Sequence, residues 1–200
     1  MNIQNPNILK ETARGIQPIS LEDELFNNRK IYLIGEVNTS SMTSLLMQLE
    51  CLENSGENEE ITIYINSPGG DVRSGLAVYD YIMQMKSPVR TVCIGVAASM
   101  GAILFLAGEK REMYKHSEVM IHDPSMLGGN YEKPLELQTR LESLMEMRET
   151  LARIISNRTG LEIKAVYKAT KTDTYYNAEK ALKYGLATKI ISNKEDTVNE

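Results

Sequence analysis

A serine whose neighbours have almost no side chain is the first feature with chemical promise. Ser99 stands in Ala97-Ala-Ser-Met-Gly-Ala102, between a run that reads as a buried strand and one that reads as an apolar helix. Small neighbours permit a sharp strand-to-helix turn and the close approach of another backbone. At the head of a helix, unpaired amides and the helix dipole favour developing negative charge, so the Met100 amide is a candidate oxyanion donor. Taken alone, the segment reads at least as readily as a serine that merely caps a helix.

A second segment, Asn66-Ser-Pro-Gly-Gly70, also follows a strand. Its glycines leave main-chain N–H groups uncovered, and Gly70 could supply the second amide that acyl-transfer chemistry requires. A turn with no chemical duty is the plainer alternative. The choice of a base is short, because the chain has two histidines. His116 lies in the charged Met113-Tyr-Lys-His-Ser-Glu118 and reads as a solvated surface residue. His122 closes the apolar run Val119-Met-Ile-His122, where strand ends in α/β proteins often carry function, although a satisfied core histidine has the same signature. A neutral imidazole there could take the serine proton and later return it to a leaving amine. Asp173 is the leading candidate to orient that imidazole. Asp123 is next to His122 in sequence, but consecutive side chains of a strand point to opposite faces.

Positioning these groups requires strands and helices in alternation. Strands are expected over Lys30–Val37, Glu60–Ile65, Arg90–Val96 and Leu186–Ile191, with Ser67-Pro-Gly-Gly70 ending the second. A helix capped by Thr39 or Ser40 carries Leu45, Leu46, Leu49 and Leu52, and another opens at Asp71 and stops before Pro88. A short hairpin is expected to return the chain as Ser117–His122. From Pro134 to Asn157, Leu137, Leu141, Leu144, Leu151 and Ile155 recur at helical spacing, ending at Thr159-Gly160. Such a helix is long for this chain. It either projects onto a second subunit or lies on its own sheet. Short helices follow near Leu161–Ala169 and Asn177–Tyr184, on either side of an exposed Lys171-Thr-Asp-Thr174. Near-continuous apolar strands alternating with helices imply an α/β fold with a mostly parallel sheet. The domain organisation expected is a polar, flexible arm over 1–20, one domain over 21–193 and a polar tail over 194–200.

Composition removes several function classes. A formal charge of −5 with scattered basic residues argues against a nucleic-acid partner. The longest apolar stretch, Gly95 to Gly108, is too short to span a bilayer, and the N-terminal residues lack the apolar core of a signal peptide, so a cytoplasmic address is expected. Two cysteines and two histidines at unrelated spacings make no metal set, and Ser67-Pro-Gly-Gly70 lacks the Gly-Lys-Ser/Thr of a phosphate loop, so no cofactor is expected. Cys51 and Cys93 both read as buried free thiols.

Four separated motifs, Asn66-Ser-Pro-Gly-Gly70, Ala97-Ala-Ser-Met-Gly-Ala102, Val119-Met-Ile-His122 and Tyr184-Gly-Leu186, occur together in order. From about residue 12 to 192 the chain resembles the proteolytic subunit of the Clp protease. The resemblance implies a crotonase-like spiral of strand–helix repeats with a projecting helical handle over about 124–158. It also implies an ATP-dependent serine endopeptidase cleaving unfolded polypeptides, with Ser99 as nucleophile, His122 as base, Asp173 as acid, and Gly70 and Met100 as oxyanion amides. Gly69 and the stretch Leu127-Gly128-Gly129 would contact substrate. Implied partners are six further copies in a seven-membered ring, a second ring stacked on the first, a sister proteolytic subunit and an AAA+ unfoldase. The chain departs from the family pattern at several points. Thr172 precedes Asp173 where Arg is usual, and His122-Asp123-Pro124 replaces His-Gln-Pro. Ser125 and Met126 look inserted, and Thr62 and Gln84 stand where aromatics are favoured beside Tyr64. These departures motivate an alternative, a regulatory paralogue that activates a sister subunit. A crotonase-type acyl-CoA enzyme is a third reading.

Overall fold

The computed structural model describes residues 6–12, 15–56, 58–125 and 133–191. Leu127, Gly128 and Gly129, and the tail over 194–200, lie outside the described residues. Two antiparallel strands come first, β1 (Ile8–Thr12) and β2 (Gly15–Ile19), in register from Ile8↔Ile19 to Thr12↔Gly15. They occupy the segment expected to be an arm without regular structure. Their largely exposed side chains supply no core face, so the alternation that announces a half-buried strand is missing. Lys10 reaches Glu24 of α1 (Leu21–Asn27) at 2.8 Å, tying this ribbon to the body.

The body begins with β3 (Lys30–Val37) and α2 (Thr39–Asn54). The cap of α2 is Asn38, in a reciprocal capping box with Ser41, rather than Thr39 or Ser40. Met42, Leu45, Leu49 and Leu52 form its buried stripe. Cys51 lies off that stripe and is exposed, which corrects the expectation of two buried thiols; Cys93 is buried. β4 (Ile61–Gly70) does not stop at Ile65 but continues through Ser67-Pro-Gly-Gly70, still paired with β3 at Glu36↔Gly69 and Val37↔Gly70. Its register with the next strand shifts after Ile65, and there Asn66 Oδ1 accepts the Val96 N–H at 3.1 Å. A side chain thus takes over where the ladder breaks, at the place where a proline can be accommodated.

α3 (Val72–Gln84), capped by Asp71, leads to β5 (Val89–Ala98) and then α4 (Met100–Ala107). Every residue of α4 is buried, as a helix apolar on all sides must be. β6 (Lys110–Tyr114) and β7 (Glu118–Ile121) do not form the expected hairpin. Both run parallel to β5, β6 along Arg90–Cys93 and β7 along Val96–Ala98. At the step between them, the Ser117 N–H and hydroxyl both donate to the Tyr114 carbonyl, and the strand direction is kept. His116 sits exposed on this step.

The long helix α5 (Pro134–Thr159) ends at Gly160, whose φ of 76° is the left-handed stop expected there. Only Leu151, Ala152 and Ile155 are buried, so its C-terminal half packs on the body and its N-terminal half projects. α6 (Ile163–Thr170) follows, then β8 (Thr174–Asn177), α7 (Ala178–Lys183) and β9 (Lys189–Ile191). The main sheet runs β3-β4-β5-β6-β9, all parallel, with β7 on β5 and β8 antiparallel on β7. β8 was not expected, and it matters most for the site.

Candidate active site

Ser99 sits at the junction of β5 and α4 with φ 54° and ψ −121°. A positive φ in a non-glycine residue costs on the order of 1–3 kcal/mol, so the surrounding structure must hold it. It does: the Ser99 N–H donates to the Met120 carbonyl of β7 at 2.9 Å, and the Ser99 carbonyl accepts from Ala102 and Ile103. The hydroxyl makes no capping bond to the helix. Instead Ser99 Oγ lies 2.8 Å from His122 Nε2, which disposes of the plain-cap alternative.

His122 follows β7 directly, and β7 is the partner of both β5 and β8. Its other ring nitrogen, Nδ1, is 3.3 Å from Asp173 Oδ1. The reason lies in strand register. Ile121 pairs with Thr174 across the antiparallel β7–β8 ladder, so continuing that ladder by one step puts His122 opposite Asp173. Residues directly opposite in such a ladder share a face and stand about 5 Å apart at Cβ. Asp123, one residue further, must turn away. Its Oδ2 accepts from Arg148 Nε at 2.6 Å and its Oδ1 from the Thr170 hydroxyl at 2.6 Å. The ring thus turns Nδ1 toward the Asp173 carboxylate and Nε2 toward the Ser99 hydroxyl.

Gly69 and Gly70, at φ 93° and 145°, close the end of β4. A methyl group on Gly69 would lie 2.6 Å from Ser99 Cβ and from the Ala98 carbonyl, and 2.9 Å from the Met100 nitrogen. On Gly70 it would lie 2.1 Å from the Val37 carbonyl. Gly69 therefore lies against the serine turn itself, and Gly70 is wedged against β3. Met100 is the first residue of α4, so its N–H has no partner within the helix; its buried side chain packs on Gly75.

An apolar recess of about 20 Å³ opens beside the serine, lined by Val72, Met100, Ile103, Pro124, Leu151 and Ile155. Next to it runs a groove of about 650 Å³ with a mixed polar and apolar lining, between Gly70–Arg73 and the α5 residues Arg140, Ser143, Leu144 and Met147. A hydroxyl, an imidazole and a carboxylate in line, beside an open groove, have the makings of covalent acyl transfer.

Residues 13–194 match the model of the Clp protease family. The chain belongs to the Clp protease family. The family's α/β architecture, a parallel sheet carrying helices, is the one found here, and membership places the chain among proteins of a peptidase family. Three of the four motifs fall at the ends of β4, β5 and β7, around Ser99 and His122, and Tyr184-Gly-Leu186 follows α7; Asp173 comes from the bend before β8. Sequence reasoning passed over Asp123 as a structural residue and did not foresee its bonds to Arg148 and Thr170. The Arg148 partnership had no signal, since twenty-five positions separate the two. Among the described residues no group of three His, Cys, Asp or Glu side chains could hold a metal ion, and no helix is long and apolar enough to cross a membrane.

Proposed function

We propose that this chain is a serine endopeptidase subunit that cleaves unfolded polypeptides through an acyl-enzyme. The observation that carries the reading is the 2.8 Å contact between Ser99 Oγ and His122 Nε2 at a strained turn, with Asp173 on the far ring nitrogen. Ser99 Oγ attacks the scissile carbonyl carbon as His122 Nε2 takes its proton. The oxyanion meets the Met100 and Gly70 amides, and His122 then protonates the departing amine. Water repeats the sequence to release the acyl group. The groove beside the serine receives the substrate chain.

Assembly into seven-membered rings, stacked in pairs, belongs to the same proposal. It is supported by the projecting half of α5, where Leu135, Leu137 and Leu141 are exposed. Asp173 is 62% exposed in the single chain, so a neighbour that covers it would strengthen its hold on His122 by excluding water. An AAA+ unfoldase is the proposed source of substrate. Tyr32 stacks on Tyr64 at 4.8 Å between ring centres, and with exposed Ile34 they leave an aromatic surface where Thr62 and Gln84 offer none.

The test uses the assembled full-length particle. A fluorophosphonate probe should label Ser99, and Ser99→Ala should abolish labelling and lower peptide cleavage by about 10⁴-fold or more. An assembled particle of ring size that resists the probe would sink the reading. Thr172 beside Asp173 favours a second reading, a regulatory subunit. Co-purification with an active sister chain, with Ser99→Ala leaving total activity unchanged, would establish it instead.

A further inference from the structure

His122 and Asp173 belong to two segments that share little regular structure at the point where they meet. His122 lies just past β7, and Asp173 lies in the bend between α6 and β8, largely exposed. Burial does not clamp the carboxylate, so the two backbones must be fixed by something else.

The next residue after His122 supplies the fastening. The Asp123 N–H donates to the Thr170 carbonyl at 2.7 Å, and the Thr170 hydroxyl donates back to Asp123 Oδ1 at 2.6 Å. Thr170 is buried and is the last residue of α6, three positions before Asp173. The second carboxylate oxygen, Oδ2, accepts from Arg148 Nε at 2.6 Å. The Arg148 guanidinium lies over the Tyr167 ring of α6, 4.3 Å from its centre. Thr174 finishes the bend by donating to the Ala169 carbonyl at 2.7 Å and the Thr172 carbonyl at 3.1 Å. One carboxylate thus joins the strand that carries the base, the segment that carries the acid and the long helix.

We infer that Asp123, with Arg148 and Thr170, is a positioning unit that holds His122 and Asp173 at working distance. The inference rests on the peptidase reading above. None of the three touches the reacting atoms. Hydrogen bonds to a charged group are stronger than neutral ones and directional. A misplacement of about 1 Å at a catalytic pair can cost about 100-fold in rate.

The assembled full-length chain carrying Asp123→Asn, Arg148→Met, both together, Arg148→Lys or Thr170→Val is compared with wild type. Fluorophosphonate labelling rate, peptide kcat and KM, and native mass are recorded for each. Asp123→Asn and Arg148→Met should each lower kcat and labelling by about 10- to 100-fold with KM within about twofold, because orientation and not binding is lost. The double variant should be no worse than the weaker single one, since the two changes break the same bond. Arg148→Lys should recover part of the rate. Variants of wild-type size with wild-type kcat, or with raised KM and intact kcat, overturn the inference. So do additive losses in the double variant. If Asp123→Asn fails to assemble, Thr170→Val decides, because it removes one hydrogen bond and no charge. Wild type that labels while the variants match it sinks only this inference. Wild type that never labels sinks the peptidase reading, and this inference with it.

Discussion

Glycine at position 69 is as demanding a choice as serine at 99. Its φ of 93° lies where L side chains are strained, and a Cβ there would press on the Ser99 side chain and the Met100 amide together. Gly69→Ala should therefore disturb the turn before it disturbs the core. Loss of probe labelling by at least about 100-fold, with assembly size and far-UV circular dichroism unchanged, is the expected outcome. Normal labelling would mean the turn tolerates a methyl group and the proposed geometry is too tight. His122 shows the same economy, because one ring spans a hydroxyl on one element and a carboxylate on another.

Two arginines close the elements behind the site. The buried Arg111 of β6 donates to the carbonyls of Leu186, Gly108, Arg158 and Gly185. Arg158, on α5, donates to those of Leu106 and Gly108. The helix end of α4 and the turn after α7 thereby find donors that the backbone does not provide. Burial, with a contribution from the neighbouring Arg158 charge, pushes the Arg111 guanidinium below its ordinary value. Arg111→Met would leave several carbonyls unpaired in the interior. A loss of at least about 2 kcal/mol is expected, seen as a melting midpoint lower by roughly 4–8 °C. A midpoint within about a degree of wild type would show that water or neighbouring donors take over. The sequence at 111 announces none of this, because a single arginine in a strand normally reads as exposed.

At the scale of the molecule, the projecting half of α5 is the feature that a single chain does not explain. Twenty-six residues make a rod of about 39 Å, and its first half presents leucines to solvent. On the ring assembly proposed above, this exposed apolar surface is the contact with the neighbouring copy. Replacing Leu137 and Leu141 together by Asp should reduce the native mass of the particle to that of single rings or smaller species. Cleavage activity should fall with it if assembly completes the site around Asp173. An unchanged mass would show that α5 projects for some other purpose.

What the residues alone determined was the inventory: an α/β chain, a serine between a strand and a helix, two glycines after another strand, and a single histidine suited to act as base. Those are local matters, written in spacing and in the size of neighbouring side chains. The pairing of His122 with Asp173 was decided by tertiary structure, through β8, a strand of four residues whose Thr174-Tyr-Tyr run was too short to separate from a loop. The collinear β6 and β7 were likewise invisible, because whether a turn reverses a strand or only shifts it depends on which partner waits alongside. Asp123 makes the same point, since period-two alternation excluded it from the His122 face but could not name Arg148 as its partner. Contacts between residues far apart in sequence arise from the packing of whole elements, and no local pattern carries that information.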